Sequence, residues 1–294
     1  MLCLNKLRAQ LRLKHRLERI WPRYVHLNRT CGIYADRGFR NWVSSNPHVY
    51  TRINQFLDRI VGPQDSFIDC GASFGWICVP LVSRLQLSHG SGKVLAIESD
   101  SNTFRLLSKS SERNKFDSRF IIENVFVGDS STFVDFYSCS ASGMSGGYLN
   151  GHIREAIEKN NESVTLTTVR STTLDALVQK HNIQNVAAVK LDIEGGELPA
   201  LRGSLDLIKS NESVVFIVEA NSVTCRAAGY TVEDVWSFFQ DLNFKVYTFS
   251  AELQCCLNAC DNYDEGKLLD SGDLVATRDE SVLFEKLGPN LTWK

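Results

Sequence analysis

No apolar run in this sequence approaches the roughly 18 residues needed to cross a bilayer. The basic N-terminus also lacks the uninterrupted apolar core of a secretory signal. The nine cysteines are an odd number and are irregularly spaced. Without a secretory signal, we interpret them as reduced thiols and expect a cytoplasmic protein.

Two common ligand motifs are missing as well. The segment CCLNAC at 255–260 has three thiols but neither a C-x-x-C pair nor a nearby histidine, which favours free thiols over a zinc site. The glycine turn DCGASFG at 69–75 has Ser73 where a dinucleotide motif would have its second glycine, and no P-loop lysine follows. The turn is therefore not a typical nucleotide-phosphate site.

The composition is that of an ordinary soluble globular protein, with 43% hydrophobic and 22% charged residues. The net charge of −2 does not indicate nucleic-acid binding, but residues 1–30 hold eight Lys or Arg against one acid. Leucines at 4, 7, 11 and 17 suit an amphipathic helix in this segment. That helix either contacts an anionic membrane surface or nucleic acid, or packs its leucines on the main domain. We assign residues 1–60 to a basic helical arm and cap, and residues 61–294 to the main domain.

From residue 66, apolar segments of strand length alternate with helical patterns. The predicted strands are 66–70, 93–98, 119–128, 131–138, 163–169, 186–191, 214–219, 244–249 and 273–277. The predicted helices are 76–87, 102–114, 197–209 and 231–241, with a short helix LDALVQK capped by Thr172 or Thr173. This alternation predicts an α/β fold with a mostly parallel sheet covered on both faces.

Acids and amides follow several of these strands. In parallel sheets the carboxyl ends of the strands share one edge, and ligands bind there. These side chains predict a polar, acidic pocket that is largely without Lys or Arg. They are Asp69, Glu98, Asn124, Asp192, Glu194, Glu219 and Asn221.

The glycine turn and the second strand end indicate the ligand. Gly71 and Gly75 lack side chains, so a ligand can approach the backbone. Asp69 would repel a phosphate but suits an ammonium group, and Glu98 can accept both hydroxyls of a ribose. A ligand with an ammonium, a ribose and no phosphate is S-adenosylmethionine. Taken alone, the turn could also be an ordinary strand–helix corner.

A family resemblance is carried by FIDCGASFGWICVPL, VLAIESDSNTFRLLSKSSERN, TTLDAL, VAAVKLDIEGGELPALRGSLDLI and VVFIVEAN. These segments resemble the FkbM family of S-adenosylmethionine-dependent methyltransferases over about residues 66–250, and K-x-D-x-E-G at 190–195 is the most specific part. The resemblance implies the Rossmann-like class I methyltransferase fold, with a seven-stranded sheet whose last strand is antiparallel. It also implies methyl transfer, typically to a hydroxyl of a sugar, a polyketide or a related small molecule.

The same resemblance assigns site residues. It places Ser73 where the family usually has asparagine, and serine can still form hydrogen bonds. We assign Asn124, at the end of the third strand, to the cofactor site as well. The implied cofactor residues are Asp69, Gly71, Ser73, Gly75 and Glu98, and the implied strand-end residues are Asp192, Glu194 and Gly195.

Asp192 and Glu194 are the candidate catalytic residues. An alcohol resembles water, whose pKa is about 15.7, so a carboxylate cannot deprotonate it in advance. It can accept the proton while the methyl bond forms. We expect Asp192 to face the acceptor and Glu194 to orient the following turn through its backbone amides, with Lys190 neutralising the nearby acids.

Other interpretations remain open. These carboxylates could serve only cofactor binding and helix capping, with Glu197 as a first-turn helix residue. Asp192, Glu219 and Asn221 offer the oxygen ligands that Mg²⁺ or Ca²⁺ prefers, although we assign no metal residues.

The whole chain also has alternative functions, namely a nucleic-acid methyltransferase that uses the basic arm, a nicotinamide oxidoreductase, or a non-catalytic S-adenosylmethionine-binding module. LDIEGG lacks the Asn/Asp-Pro-Pro-aromatic pattern of amino-methylating enzymes, and DCGASFG argues against nicotinamide. We therefore favour O-methylation of a small-molecule or glycan hydroxyl.

Overall fold

The structure is a computed structural model, and it describes residues 22–45, 47–139, 145–146, 164–250, 257–288 and 291–292. The predicted amphipathic helix in the basic arm, most of the loop at 139–152, and Cys255 with Cys256 lie outside the described residues. Across the described part, no helix is both long and apolar enough to cross a membrane.

The strands are numbered in chain order. They are β1 (Arg23–His26), β2 (Gly32–Ala35), β3 (Ser66–Cys70), β4 (Val94–Ile97), β5 (Phe120–Glu123), β6 (Phe126–Val127), β7 (Phe133–Cys139), β8 (Ser145–Gly146), β9 (Val164–Thr172), β10 (Val186–Leu191), β11 (Val215–Glu219), β12 (Lys245–Phe249), β13 (Leu257–Ala259), β14 (Asp273–Thr277) and β15 (Leu291–Thr292).

The helices follow the same convention. They are α1 (Arg37–Ser45), α2 (Pro47–Ile60), α3 (Cys78–Leu87), α4 (Ser101–Asn114), α5 (Leu174–Lys180), α6 (Glu197–Arg202), α7 (Leu205–Ser210), α8 (Ser222–Ala227), α9 (Val232–Asp241), α10 (Glu265–Ser271) and α11 (Glu280–Leu287).

The central sheet has the order β15-β13-β12-β14-β11-β10-β3-β4-β5. The pairs from β11 through β10, β3 and β4 to β5 are all parallel, whereas β14 is antiparallel to both of its neighbours. The α/β prediction is therefore confirmed. The sheet has nine strands rather than seven, because the short strands β13 and β15 extend the edge beyond β12.

Burial explains why the parallel strands appear as continuous apolar runs. Every residue of β3 and of β4 is buried, and five of the six residues in β10 are buried. Each face of the sheet contacts its own hydrophobic cluster, so both alternating sets of side chains must be apolar. Polar residues are tolerated mainly at the strand ends, which is where the sequence has them.

Two predicted elements are divided in the structure. The segment 119–128 splits into β5, which joins the central sheet, and β6, which pairs in parallel with the end of β9. The helix predicted at 197–209 breaks into α6 and α7 at Gly203 and Ser204. A Cβ at Gly203 would overlap the carbonyl oxygen of Gly128, so the break lets the chain pass close to that loop.

Residues 22–60 contain a hairpin in addition to the predicted helical cap. Strands β1 and β2 pair antiparallel, and the Tyr24 hydroxyl donates to the Asn114 side chain of α4 at 2.9 Å. The following α2 packs on the sheet, where the rings of Phe56 and Phe249 lie 5.4 Å apart. This packing places α2 beside the edge at which the strand-end acids meet.

Candidate active site

One cavity of about 540 Å³ opens at the carboxyl ends of β3, β4, β10 and β11 and at the amino end of β14. Six of the eight predicted site residues line it, namely Asp69, Gly71, Ser73, Glu98, Asp192 and Glu194. The other two, Gly75 and Asn124, are not among its lining residues. The structure therefore brings the predicted strand ends together at a single edge of the sheet.

Glu98 organises the turn that follows β3. One carboxylate oxygen accepts the Ser73 amide and the other accepts the Asp100 amide, each at 2.8 Å. Burial raises the pKa of Glu98 to about 7, although the two amide hydrogen bonds oppose this shift. A carboxylate offers about four lone-pair sites, so each oxygen can still accept a hydroxyl group.

Gly71 allows the ends of β3 and β10 to approach each other. Its φ of +78° lies in the left-handed region, and a Cβ there would overlap the carbonyl oxygen of Asp192. Gly75 has a different function, because a Cβ at that position would meet the side chains of Val79 and Leu107. Gly75 therefore permits the turn to pack under α3 and α4.

Asp69 and Lys190 are aligned on neighbouring strands at the floor of the cavity. The Lys190 Nζ lies 3.0 Å from Asp192 Oδ2 and 3.8 Å from Asp69 Oδ1. Both Asp69 oxygens are buried, and the thiol and the backbone amide of Cys78 are further neighbours of this carboxyl group. Burial raises the pKa of Asp69, and the Lys190 charge opposes that shift.

Glu197, rather than Glu194, holds the turn after β10. Its carboxylate accepts the amides of Ile193 at 2.8 Å and Gly195 at 3.0 Å, and the Tyr230 hydroxyl at 2.9 Å. The orienting function that we expected of Glu194 thus belongs to Glu197. Sequence reasoning placed Glu197 in the first helical turn but could not identify Tyr230 as its partner.

Glu194 lies at the bend itself and lines the cavity. Its φ is +53° and that of Gly195 is +96°, so the extended chain of β10 ends here, as the glycine pair predicts. Burial and the neighbouring carboxylates of Asp192 and Glu197 raise the pKa of Glu194 to about 8. This shift favours the protonated form of Glu194 at neutral pH.

Two cations of the described residues line the cavity, which corrects the expectation of a pocket largely without Lys or Arg. One is Lys190, and the other is Arg52 of α2. Arg52 Nη2 lies 3.1 Å from Asp273 Oδ2 and donates to the Ser271 carbonyl at 2.9 Å. Its guanidinium also lies over the Phe249 ring, 4.5 Å from the centroid.

Arg52 and Asp273 are the residues that sequence reasoning missed. No motif surrounds Arg52, which reaches the cavity only because α2 packs on the sheet. Asp273 is the first residue of β14, and β14 runs antiparallel to β11. An antiparallel strand brings its amino end to the edge of the sheet where ligands bind. An inspection limited to the carboxyl ends of the strands therefore does not find Asp273.

Asn124 braces the backbone behind Glu98. Its side-chain amide donates to the carbonyl groups of Glu98 at 2.7 Å and Ser99 at 3.0 Å. These contacts support the segment between β4 and α4. Any contribution of Asn124 to the cofactor site would thus act through the position of Glu98.

The described residues contain no group of three or more His, Cys, Asp and Glu side chains that could hold a metal ion. Asn221, considered above as an oxygen ligand, uses its side-chain oxygen to cap α8 by accepting the Val223 amide at 3.0 Å. The geometry therefore assigns Asn221 to helix capping.

Residues 69–246, more than half of the chain, match the family described as "Methyltransferase FkbM domain". No curated protein matches the sequence.

Among solved structures, the chain is similar to the following three proteins. The first is precorrin-6y C5,15-methyltransferase from Geobacter metallireducens GS-15 (10% identity, 77% of this chain and 86% of that chain, TM-score 0.38). The second is P. horikoshii TYW2 in complex with MeSAdo (12%, 87% and 71%, TM-score 0.40). The third is a TehB-like SAM-dependent methyltransferase from Corynebacterium glutamicum ATCC 13032 Kitasato (10%, 82% and 94%, TM-score 0.40). From the family match and its own sheet topology, the chain belongs to the FkbM family of S-adenosylmethionine-dependent methyltransferases and has the class I methyltransferase fold.

Proposed function

We propose that this enzyme methylates a hydroxyl group of a small molecule or a glycan. The observation that carries the proposal is the position of Asp192. Its side chain is 38% exposed and lines the cavity beside the glycine turn, at the end of a buried strand. It is thus a carboxylate that a bound hydroxyl can reach.

The residues of the cavity fit S-adenosylmethionine. Asp69 places two buried carboxyl oxygens at the floor of the cavity, which suits the ammonium group. Glu98 has lone pairs left for the ribose hydroxyls, and Phe126 supplies an aromatic surface in the same cavity. When bound, the cofactor supplies an electrophilic methyl group on a positively charged sulfur.

Asp192 is the proposed general base. It pairs with Lys190 at 3.0 Å, and its carboxylate can accept the hydroxyl proton while the oxygen forms its new bond to carbon. Such proton acceptance contributes roughly 10²–10⁴-fold to a rate. Glu194 is a poorer candidate, because its raised pKa favours the protonated form, which is a weaker base. As a neutral acid it can instead donate a hydrogen bond to the acceptor.

Two measurements test the proposal. Calorimetric titration with S-adenosylhomocysteine beside NAD checks the cofactor. Radiolabelled methyl transfer to a panel of alcohols and sugars, beside RNA and DNA, checks the acceptor class. Transfer to nucleic acid alone would favour the alternative of a nucleic-acid methyltransferase.

The variant Asp192→Asn keeps the shape of the side chain and removes its basic oxygen. We expect turnover of a hydroxyl acceptor to fall by about 10²-fold or more, with S-adenosylhomocysteine affinity nearly unchanged. Asp206→Asn is the matched control, because that side chain is 81% exposed on α7. Glu98→Ala, which removes the carboxylate proposed to bind the ribose, is the reference for lost cofactor affinity. If Asp192→Asn loses the cofactor as severely as Glu98→Ala, then Asp192 is a cofactor ligand and the assignment of the base is wrong.

A further inference from the structure

Three carboxyl groups form a row across the edge of the sheet. Leu191 of β10 is aligned with Val218 of β11, and Glu219 is aligned with Asp273 of β14. Asp192 follows Leu191 and therefore lies beside Glu219. Neighbouring strands are about 4.8 Å apart, and aligned residues direct their side chains to the same face. All three acids of the row line the cavity.

The two outer acids of the row each have a cation. Asp192 pairs with Lys190 at 3.0 Å, and Asp273 pairs with Arg52 at 3.1 Å. Among the described residues, Glu219, which lies between them, has one hydrogen-bond partner, the Asn221 side-chain amide at 3.5 Å from Oε1. Its Oε2 is buried and has no hydrogen-bond partner within the described residues.

The buried Oε2 of Glu219 needs a hydrogen-bond partner from a bound ligand, because buried polar atoms are nearly always hydrogen-bonded. Burial, followed by the surrounding carboxylates, raises the pKa of Glu219 well above its ordinary value. A protonated carboxyl group both donates and accepts a hydrogen bond. A hydroxyl group does the same, whereas an ammonium group can only donate. The position of the unpartnered oxygen beside Asp192 therefore calls for a hydrogen-bonding group on a bound ligand, and the raised pKa of Glu219 favours a hydroxyl over an ammonium for that group.

We propose that Glu219 recognises the methyl acceptor, and that this acceptor carries a second hydroxyl next to the one that is methylated. The inference rests on the proposed function, because Asp192 takes the reacting hydroxyl. Glu219, on the adjacent strand, forms hydrogen bonds with the second hydroxyl, which lies next to the reacting one on the acceptor. The class of acceptor is then a vicinal diol, such as a sugar or another polyol.

The test uses the full chain saturated with S-adenosylhomocysteine and three small probes, which are cis-cyclohexane-1,2-diol, cyclohexanol and 2-aminocyclohexanol. Ligand-observed NMR titration measures the affinity of each. We expect the wild-type protein to bind the diol about tenfold more tightly than cyclohexanol. Absence of this preference overturns the proposal, and a stronger preference for the amino alcohol overturns the hydroxyl assignment.

Variants assign the preference to Glu219. Glu219→Met removes the hydrogen-bonding atoms at similar length and should abolish the preference for the diol without weakening S-adenosylhomocysteine binding. Glu219→Gln keeps one donor and one acceptor and should retain most of the preference. Glu212→Met, at an exposed position, is the matched control. A preference that survives in Glu219→Met, or a tenfold loss of S-adenosylhomocysteine affinity in that variant, overturns the proposal.

Radiolabelled methyl transfer separates this inference from the proposed function. Diol-selective binding that depends on Glu219, without transfer to any hydroxyl compound, rejects the proposed function and leaves the recognition by Glu219 supported. Equal transfer to the diol and to cyclohexanol, by the wild-type protein and by Glu219→Met alike, supports hydroxyl methylation and rejects the recognition.

Discussion

The substitution Glu197→Gln should destabilise the protein through a single turn. The Glu197 carboxylate is 1% exposed and accepts hydrogen bonds from two backbone amides and from the Tyr230 hydroxyl. Glutamine has one oxygen, so its NH₂ group must face at least one of these donors. Hydrogen bonds to a charged group are worth about 1.5–3 kcal/mol each, and the neutral amide is easier to bury. We therefore expect the free energy of unfolding to fall by about 2 kcal/mol.

Urea unfolding at pH 7, followed by tryptophan fluorescence, measures this loss. Glu194→Gln is the matched control three residues earlier, since within the described residues the Glu194 carboxylate accepts no backbone amide. Tyr230→Phe removes one of the three bonds and should cost about 1 kcal/mol. Glu197→Gln should also weaken S-adenosylhomocysteine binding, because the turn it holds lines the cavity. Equal losses in Glu197→Gln and Glu194→Gln, or a greater loss in Glu194→Gln, would refute this account of the turn.

Three further outcomes follow from the site and the arm. Since the pKa of Glu98 is raised to about 7, and ribose hydroxyls favour its ionised form, calorimetric S-adenosylhomocysteine affinity should rise with pH up to about 7 and then level off. In Glu98→Gln the affinity should be weaker and flat with pH, and a preserved slope would assign the titration elsewhere. The pKa of Glu194 rises from 4.5 unfolded to about 8 folded, so its ionisation destabilises the fold as pH increases. Between pH 4.5 and about 8, the free energy of unfolding of Glu194→Gln should rise relative to that of the wild type, as measured by urea unfolding. A difference in unfolding free energy that does not change with pH would contradict this. Finally, deleting residues 1–21, which spares the hairpin that begins at β1, should abolish sedimentation with acidic liposomes at low salt and preserve cofactor affinity. If the full-length protein does not sediment with such liposomes, the proposed contact between the arm and an anionic membrane surface is wrong.

Sequence reasoning succeeded where a functional residue directly follows a parallel strand. Asp69, Glu98 and Asp192 lie at or just beyond the ends of β3, β4 and β10, and parallel strands place such ends at one edge whatever the intervening helices do. The bounds of β10 and β14 also match the predicted segments, since continuous apolar runs are required where both faces of a sheet are buried. Local pattern and chain direction were sufficient for these features.

The tertiary structure alone decided how the acids are paired. Arg52 reaches Asp273 because α2 packs across β12 and β14, and Tyr230 reaches Glu197 because α8 and α9 fold back beside the turn. Both contacts join residues far apart in the chain, and neither leaves a local signal in composition or periodicity. From its amino acids alone the sequence determines the parallel strands of the central sheet and the acids at their ends. The role of each acid depends on side chains that only the packed fold brings within hydrogen-bond distance. These contacts decide which acid pairs with a cation, which acid holds a turn and which acid is left for a ligand.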